Sequence, residues 1–146
     1  MSNKDDLFSK AEGKLFNYNK IKVEIKCLEI DIEFLNKDIL GCKAINYSNE
    51  KTGPTNSICN PFENEIKNKE KEIAKLERDK NTKEKIVKKI DEALTLLEES
   101  EMNIVRYRYF SNKKPNWYYI ATMMGYSEKN CRNKRNDLIN KIKNII

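Results

Sequence analysis

Apolar residues in the first part of the chain recur at alternating spacings of three and four. Tyr18, Ile21, Ile25, Leu28, Ile32, Leu35 and Ile39 follow this rule without a miss, and charged residues fill most positions between them. That a/d heptad predicts one long helix over about residues 5–40 with a narrow apolar seam. Leu7 and Ala11 extend the seam backward, with one imperfection at Lys14. Gly41 opens a break to Asn60 that holds Gly53-Pro54, several Asn and Ser, and no periodicity, so 41–60 reads as a loop. Asn60-Pro61-Phe62-Glu63 then marks a helix start, with Asn60 as cap, Pro61 in the first helical position and Glu63 reaching back.

From there Phe62, Ile66, Ile73, Leu76, Val87, Ile90, Leu94 and Leu97 fall on a second heptad frame, interrupted by Lys69, Lys80 and Lys83. A weaker seam follows, with a bend or break expected between Arg78 and Glu84. Two helices joined by such a loop suggest an antiparallel hairpin, although a coiled coil between chains fits the same pattern. Ser100 is the expected cap of a further helix reaching Phe110, with Ile104, Val105 and Tyr109 on its apolar side. After a short basic loop, two helices are expected at about Trp117–Met124 and Glu128–Ile142. Ala121 followed by Gly125, then Cys131 and Leu138, has the order a helix-turn-helix needs. A small residue sits at the crossing, a glycine supplies positive φ in the turn, and apolar residues point back from the second helix. Ile120, Met124, Cys131, Leu138 and Ile142 are the expected core. Glu128, Lys129, Arg132, Asn133 and Asn136 then face outward, where a duplex would lie.

Charge sharpens this picture. The chain of 146 residues carries a net charge of +6, yet residues 101–146 hold ten basic and three acidic side chains. The surplus therefore lies with the helix-turn-helix, as phosphate neutralisation requires. Charged residues make up 36% of the chain, too many for a large globular core but compatible with long helices. Cys27, Cys42, Cys59 and Cys131 form no C-x-x-C pair and there is no His, so no metal site is expected. A Cys42–Cys59 bridge is disfavoured in a protein read as reduced and cytoplasmic. No membrane span or signal segment is expected. No catalytic constellation emerges either, so the protein is read as a non-enzyme without a cofactor. The acidic pairs Asp91-Glu92 and Glu98-Glu99 and the cation Arg106 are expected in solvent. Trp117 and the tyrosines at 107, 109, 118, 119 and 126 are assigned mostly to core.

The run LEESEMNIVRYRYF, followed by W-x-x-IA-x-x-x-GYS-x-x-x-C-R and L-I-x-K-I, resembles region four of sigma factors, the domain that reads the promoter −35 element. In arrangement the chain resembles small phage transcriptional regulators of the ArpU and RinA type, which join a helical N-terminal part to such a domain. The motif residues span about 97–142. By position, the resemblance implies base reading by Glu128, Lys129, Arg132 and Asn133. Arg132 would fork onto guanine, Asn133 bridge adenine, and Glu128 accept from cytosine. It implies phosphate contacts at Lys113, Lys114, Asn116, Trp117 and Ser127, with Arg135 grouped among them. Cys131 replaces a usual Val or Ile. Lys134 replaces an apolar residue, its stem expected to cover core while its ammonium reaches water. No counterpart of the promoter-melting sigma regions is present.

The expected fold is all-α: a long antiparallel, coiled-coil-like hairpin over 1–83, then a small sigma-region-four-like domain over 84–146. The expected function is sequence-specific binding of double-stranded DNA and activation of phage or prophage late genes. RNA polymerase and a second copy joined through the helical rod are the further candidate partners. A small terminase-like packaging subunit and a coiled-coil adaptor are the alternatives.

Overall fold

A computed structural model of the protein describes residues 3–49 and 61–146, and every element among them is a helix. In chain order these are α1 (Asn3–Asn49), α2 (Pro61–Leu94), α3 (Glu99–Arg108), α4 (Trp117–Met124) and α5 (Glu128–Ile142). None of them is long and apolar enough to cross a membrane. Asn60 and Cys59 lie outside the described residues, and with them the expected cap of α2 and the Cys42–Cys59 pair.

The chain divides into two compact units, Met1–Lys22 with Glu84–Ile146, and Val23–Lys83. In the second, side-chain contacts link α1 to α2. Lys83 Nζ meets Glu24 at 3.1 Å, Lys80 meets Glu29 at 3.4 Å, and Lys69 Nζ donates to Cys42 Sγ at 3.8 Å. The three lysines that interrupt the second heptad are thus half-buried along α1, stems inward and ammonium groups on opposite partners. Ile25 and Ile39 are buried in this unit.

Two expectations fail here. Gly41–Asn49 is helical rather than loop, because Cys42 continues the seam three residues after Ile39. A single helical glycine costs only about 1 kcal/mol. Nor does α2 break at 78–84: it contains no Gly or second Pro, and Thr82 simply returns its hydroxyl to the Arg78 carbonyl at 3.0 Å.

In the first unit, Ala11, Leu15 and Tyr18 of α1 share a core with Ile90, Ala93 and Leu94 of α2. Ile104, Val105 and Tyr109 of the α3 segment and Leu138, Ile139 and Ile142 of α5 complete it. Each fully buried Leu or Ile contributes about 1.5–3 kcal/mol. The unit containing 84–146 therefore includes the first 22 residues, which a division after residue 83 sets apart. The seam backward from Tyr18 runs through Leu15, Ala11 and Phe8. Leu7 is 39% exposed, and Lys14 donates outward to the Ile146 carbonyl at 2.6 Å. Consecutive spacings of three at Leu15–Tyr18–Ile21 shift the stripe by one residue and resolve the imperfection at Lys14.

The cap of α3 also differs. Glu98, not Ser100, takes the extended N-cap conformation, and its N–H donates to Glu101 Oε1 at 3.1 Å. Glu101 is 3% exposed and bound by Lys141 Nζ at 2.6 Å, which holds that ammonium above its ordinary pKa. Ser100 Oγ accepts instead from Lys134.

Candidate nucleic-acid interface

Local signals set α4 and α5. Asn116 is extended (φ −71°, ψ 167°), and its side-chain oxygen accepts the Tyr119 N–H at 2.9 Å. α4 stops at Gly125, whose φ of 71° is the left-handed conformation that glycine adopts without a Cβ penalty. Ser127 then repeats the capping arrangement, its Oγ accepting the Asn130 N–H at 3.1 Å. Two of the residues assigned to phosphate, Asn116 and Ser127, thus also cap helices.

Between the helices, Ile120, Ala121 and Cys131 form a small buried cluster with Tyr107, Trp117 and Met124 against it. Burial raises the Cys131 thiol pKa, as suits a packing residue. With Leu138, Ile139 and Ile142 also inside, α5 is left with an exposed row of Lys129, Arg132, Asn133, Asn136 and Asn140. Over that row the axial rise is about 17 Å. Glu128 beside it is half-buried and meets Arg132 at 3.4 Å, with both side chains substantially exposed. Such a pair contributes about 0–1 kcal/mol, so it holds the guanidinium only weakly.

Lys113 and Lys114 are exposed in the loop before α4. Lys114 carries a φ of 35° and sets its ammonium 5.0 Å from the Phe16 ring. A concavity of about 410 Å³ opens beside them, lined by Ser111, Lys113, Pro115, Asn116 and Tyr119.

Arg135 stands apart from the exposed row. Its Nη1 donates to Glu12 at 3.0 Å and its Nε to Asn136 at 2.8 Å, and its side chain is 18% exposed. Trp117 is half-buried, with Arg108, Arg135 and Arg132 at 4.3, 5.4 and 5.9 Å from its ring centroid. Glu12 gathers this cluster. The same Oε1 accepts from the Tyr109 hydroxyl at 2.7 Å and lies 3.6 Å from Arg108 Nη2. Burial, then the Glu12 bond, pushes the Tyr109 phenol pKa well up.

Glu12, Arg108 and Tyr109 were not legible as a set, because a glutamate 97 residues from the tyrosine it binds has no local signature. Of the tyrosines assigned to core, Tyr109 is buried and Tyr107 half-buried. Tyr118, Tyr119 and Tyr126 are 70%, 48% and 41% exposed. α4 has only eight residues, and Trp117, Ile120, Ala121 and Met124 already occupy its inner face. Lys134 is half-buried, and its ammonium, expected in water, donates to Ser100 Oγ at 3.3 Å and lies 5.6 Å from the Tyr126 ring. Arg106, Asp91, Glu92, Glu98 and Glu99 are exposed, although Asp91 accepts the Tyr18 hydroxyl at 2.5 Å.

The description "Protein of unknown function (DUF722)" matches residues 14–144, and the chain belongs to that family. No curated protein and no solved structure matches it.

Proposed function

We propose that the chain is a sequence-specific double-stranded DNA-binding transcription regulator, with α4 and α5 as a helix-turn-helix of the sigma-region-four kind. The reading is carried by one observation: an exposed row of Lys, Arg and Asn along α5, behind a turn closed by left-handed Gly125, in the segment that holds the chain's positive surplus. Lys129, Arg132 and Asn133, with Glu128 beside them, read bases in the major groove. Lys113 and Lys114 hold the flanking phosphates, with the N-terminal amides of α4 and α5 at Asn116, Trp117 and Ser127. Arg135, bound to Glu12 and lying against Trp117, orients α5. In this reading α1 and α2 form an antiparallel, coiled-coil-like hairpin, and the activity requires no cofactor. The resemblance supports late-gene activation in a phage or prophage, through polymerase, in the cytoplasm of a bacterial host.

The test uses the full chain against a pool of random duplexes, first by selection and then by fluorescence anisotropy on the selected site. Binding is expected to fall steeply with salt, as counterion release demands. Arg132→Ala and Asn133→Ala should each cost about 1–3 kcal/mol on the selected site and less on random duplex. Binding that is absent, or indifferent to salt, sinks the reading.

A further inference from the structure

Projected down the axis of α5 at about 100° per residue, Asn136 falls between Arg132 and Asn133, about 40° from the first and about 60° from the second. It lies about 6 Å further along the axis than Arg132 and about 4.5 Å further than Asn133. Those distances are between one and two base-pair steps of about 3.4 Å. Lys129, Arg132, Asn133 and Asn136 thus keep the i, i+3, i+4, i+7 spacing that lines side chains up on the groove-facing side of a recognition helix. A groove that receives Arg132 and Asn133 at its base edges receives Asn136 as well.

Asn136 is exposed, yet its carboxamide is held. Its Oδ1 accepts from Arg135 Nε at 2.8 Å, and Arg135 Nη1 donates to Glu12 Oε1 at 3.0 Å. The same carboxylate oxygen accepts the hydroxyl of buried Tyr109 at 2.7 Å. A chain of bonds therefore runs from the core to the outer face of α5. Among the described residues nothing else binds this carboxamide. The Arg135 bond takes one of the two lone pairs on Oδ1, which leaves an acceptor and a donor side by side. That pair matches the N6 donor and N7 acceptor of adenine in the major groove.

We propose that Asn136 is a base-reading residue whose base is an adenine, one to two steps beyond the base pairs read by Arg132 and Asn133. Arg135 and Glu12 are its positioning residues: they set the carboxamide before a duplex arrives, so less freedom is lost on binding. Asn140 takes no part, since it lies about 6 Å further on, past the N-terminal portion of the helix that meets base edges. This inference rests on the duplex reading and extends it from the identity of the ligand to one of its bases.

The test uses the full chain and its selected duplex, with each adenine replaced in turn by 7-deazaadenine, which lacks the N7 acceptor. Asn136→Ala should weaken binding to the unmodified site about 5- to 150-fold. At one adenine the replacement should weaken the wild type at least about twofold, leave Asn136→Ala unaffected, and still weaken Asn133→Ala. That penalty should shrink in Glu12→Ala and in Arg135→Lys, each shown to be folded by circular dichroism, and recover in Glu12→Gln, which still accepts from Arg135. A selected site without adenine, or penalties that Asn136→Ala leaves undiminished at every adenine, overturns the inference while duplex binding stands. A penalty unchanged in both Glu12→Ala and Arg135→Lys overturns the positioning role. A full chain that selects no duplex overturns the duplex reading, and this inference with it.

Discussion

Replacing Glu12 by alanine should destabilise the protein by about 3 kcal/mol, far more than a glutamate on a solvated helix would suggest. The loss has two sources. Tyr109, 2% exposed, donates its hydroxyl to Glu12 at 2.7 Å, and a buried hydroxyl left without an acceptor costs about 1–3 kcal/mol. Arg135 and Arg108, 18% and 22% exposed, are held at 3.0 and 3.6 Å from the same oxygen. Removing their shared carboxylate forfeits a charge-assisted bond of about 1.5–3 kcal/mol and leaves two guanidinium groups facing each other. The contributions share one atom and do not add fully. Urea unfolding measures the total: with a slope of about 2 kcal/mol/M, the midpoint should fall by about 1.5 M. Glu12→Gln, which can still accept from Tyr109, should lose about half as much. Glu29→Ala, which removes an exposed partner of Lys80, should lose less than about 1 kcal/mol. Tyr109→Phe should cost less in the Glu12→Ala background than alone, because its acceptor is already gone. A Glu12→Ala loss no larger than that of Glu29→Ala would refute the reasoning.

Three further outcomes follow from other sites. Gly125→Ala should cost about 1 kcal/mol by thermal unfolding, from backbone strain alone, since a Cβ there meets nothing within 4 Å; Gly125→Asn should cost less. Burial, then the hydrogen bond to Asp91, pushes the Tyr18 phenol up to about 12, and Tyr109 is raised as well. From about pH 10 to about 12 the unfolded chain therefore releases protons that the native state keeps. Stability should fall as pH rises through that window, and phenolate absorbance should show these two tyrosines ionising after the exposed ones. Lys141→Met strands the nearly buried Glu101 carboxylate with only the Glu98 N–H as partner, and should cost about 1–3 kcal/mol in urea unfolding near neutral pH.

What the sequence disclosed and what it hid divide by distance along the chain. The bounds of α4 and α5 and the inward placement of Cys131, Leu138 and Ile142 follow from signals within a few residues: Asn116, Gly125, Ser127 and a three-four apolar spacing. Gly41 misled because a lone glycine can end a helix or merely weaken it, and Cys42 keeping phase with Ile39 is a quieter signal. The lysines of α2 misled for a related reason. A charge in a heptad frame looks like a defect until the opposing helix supplies Glu24 and Glu29. Glu12 was hidden altogether, since its importance comes from Arg108, Tyr109 and Arg135, which approach it only in the folded chain.

The unit that holds α5 is stitched from both ends of the sequence, and this sets the order of events on the ribosome. Val23–Lys83 is contiguous and has all its residues in hand once Lys83 is out. Leu15 and Tyr18 must wait for Leu138, Ile139 and Ile142. At bacterial or eukaryotic translation speeds of about 5–20 residues per second that delay is roughly 6–25 s. Throughout it the first helix offers a naked greasy strip to whatever passes, so nascent chains should engage holding chaperones at their N-terminal end, and a ribosome stalled before residue 138 should leave that strip open to proteases.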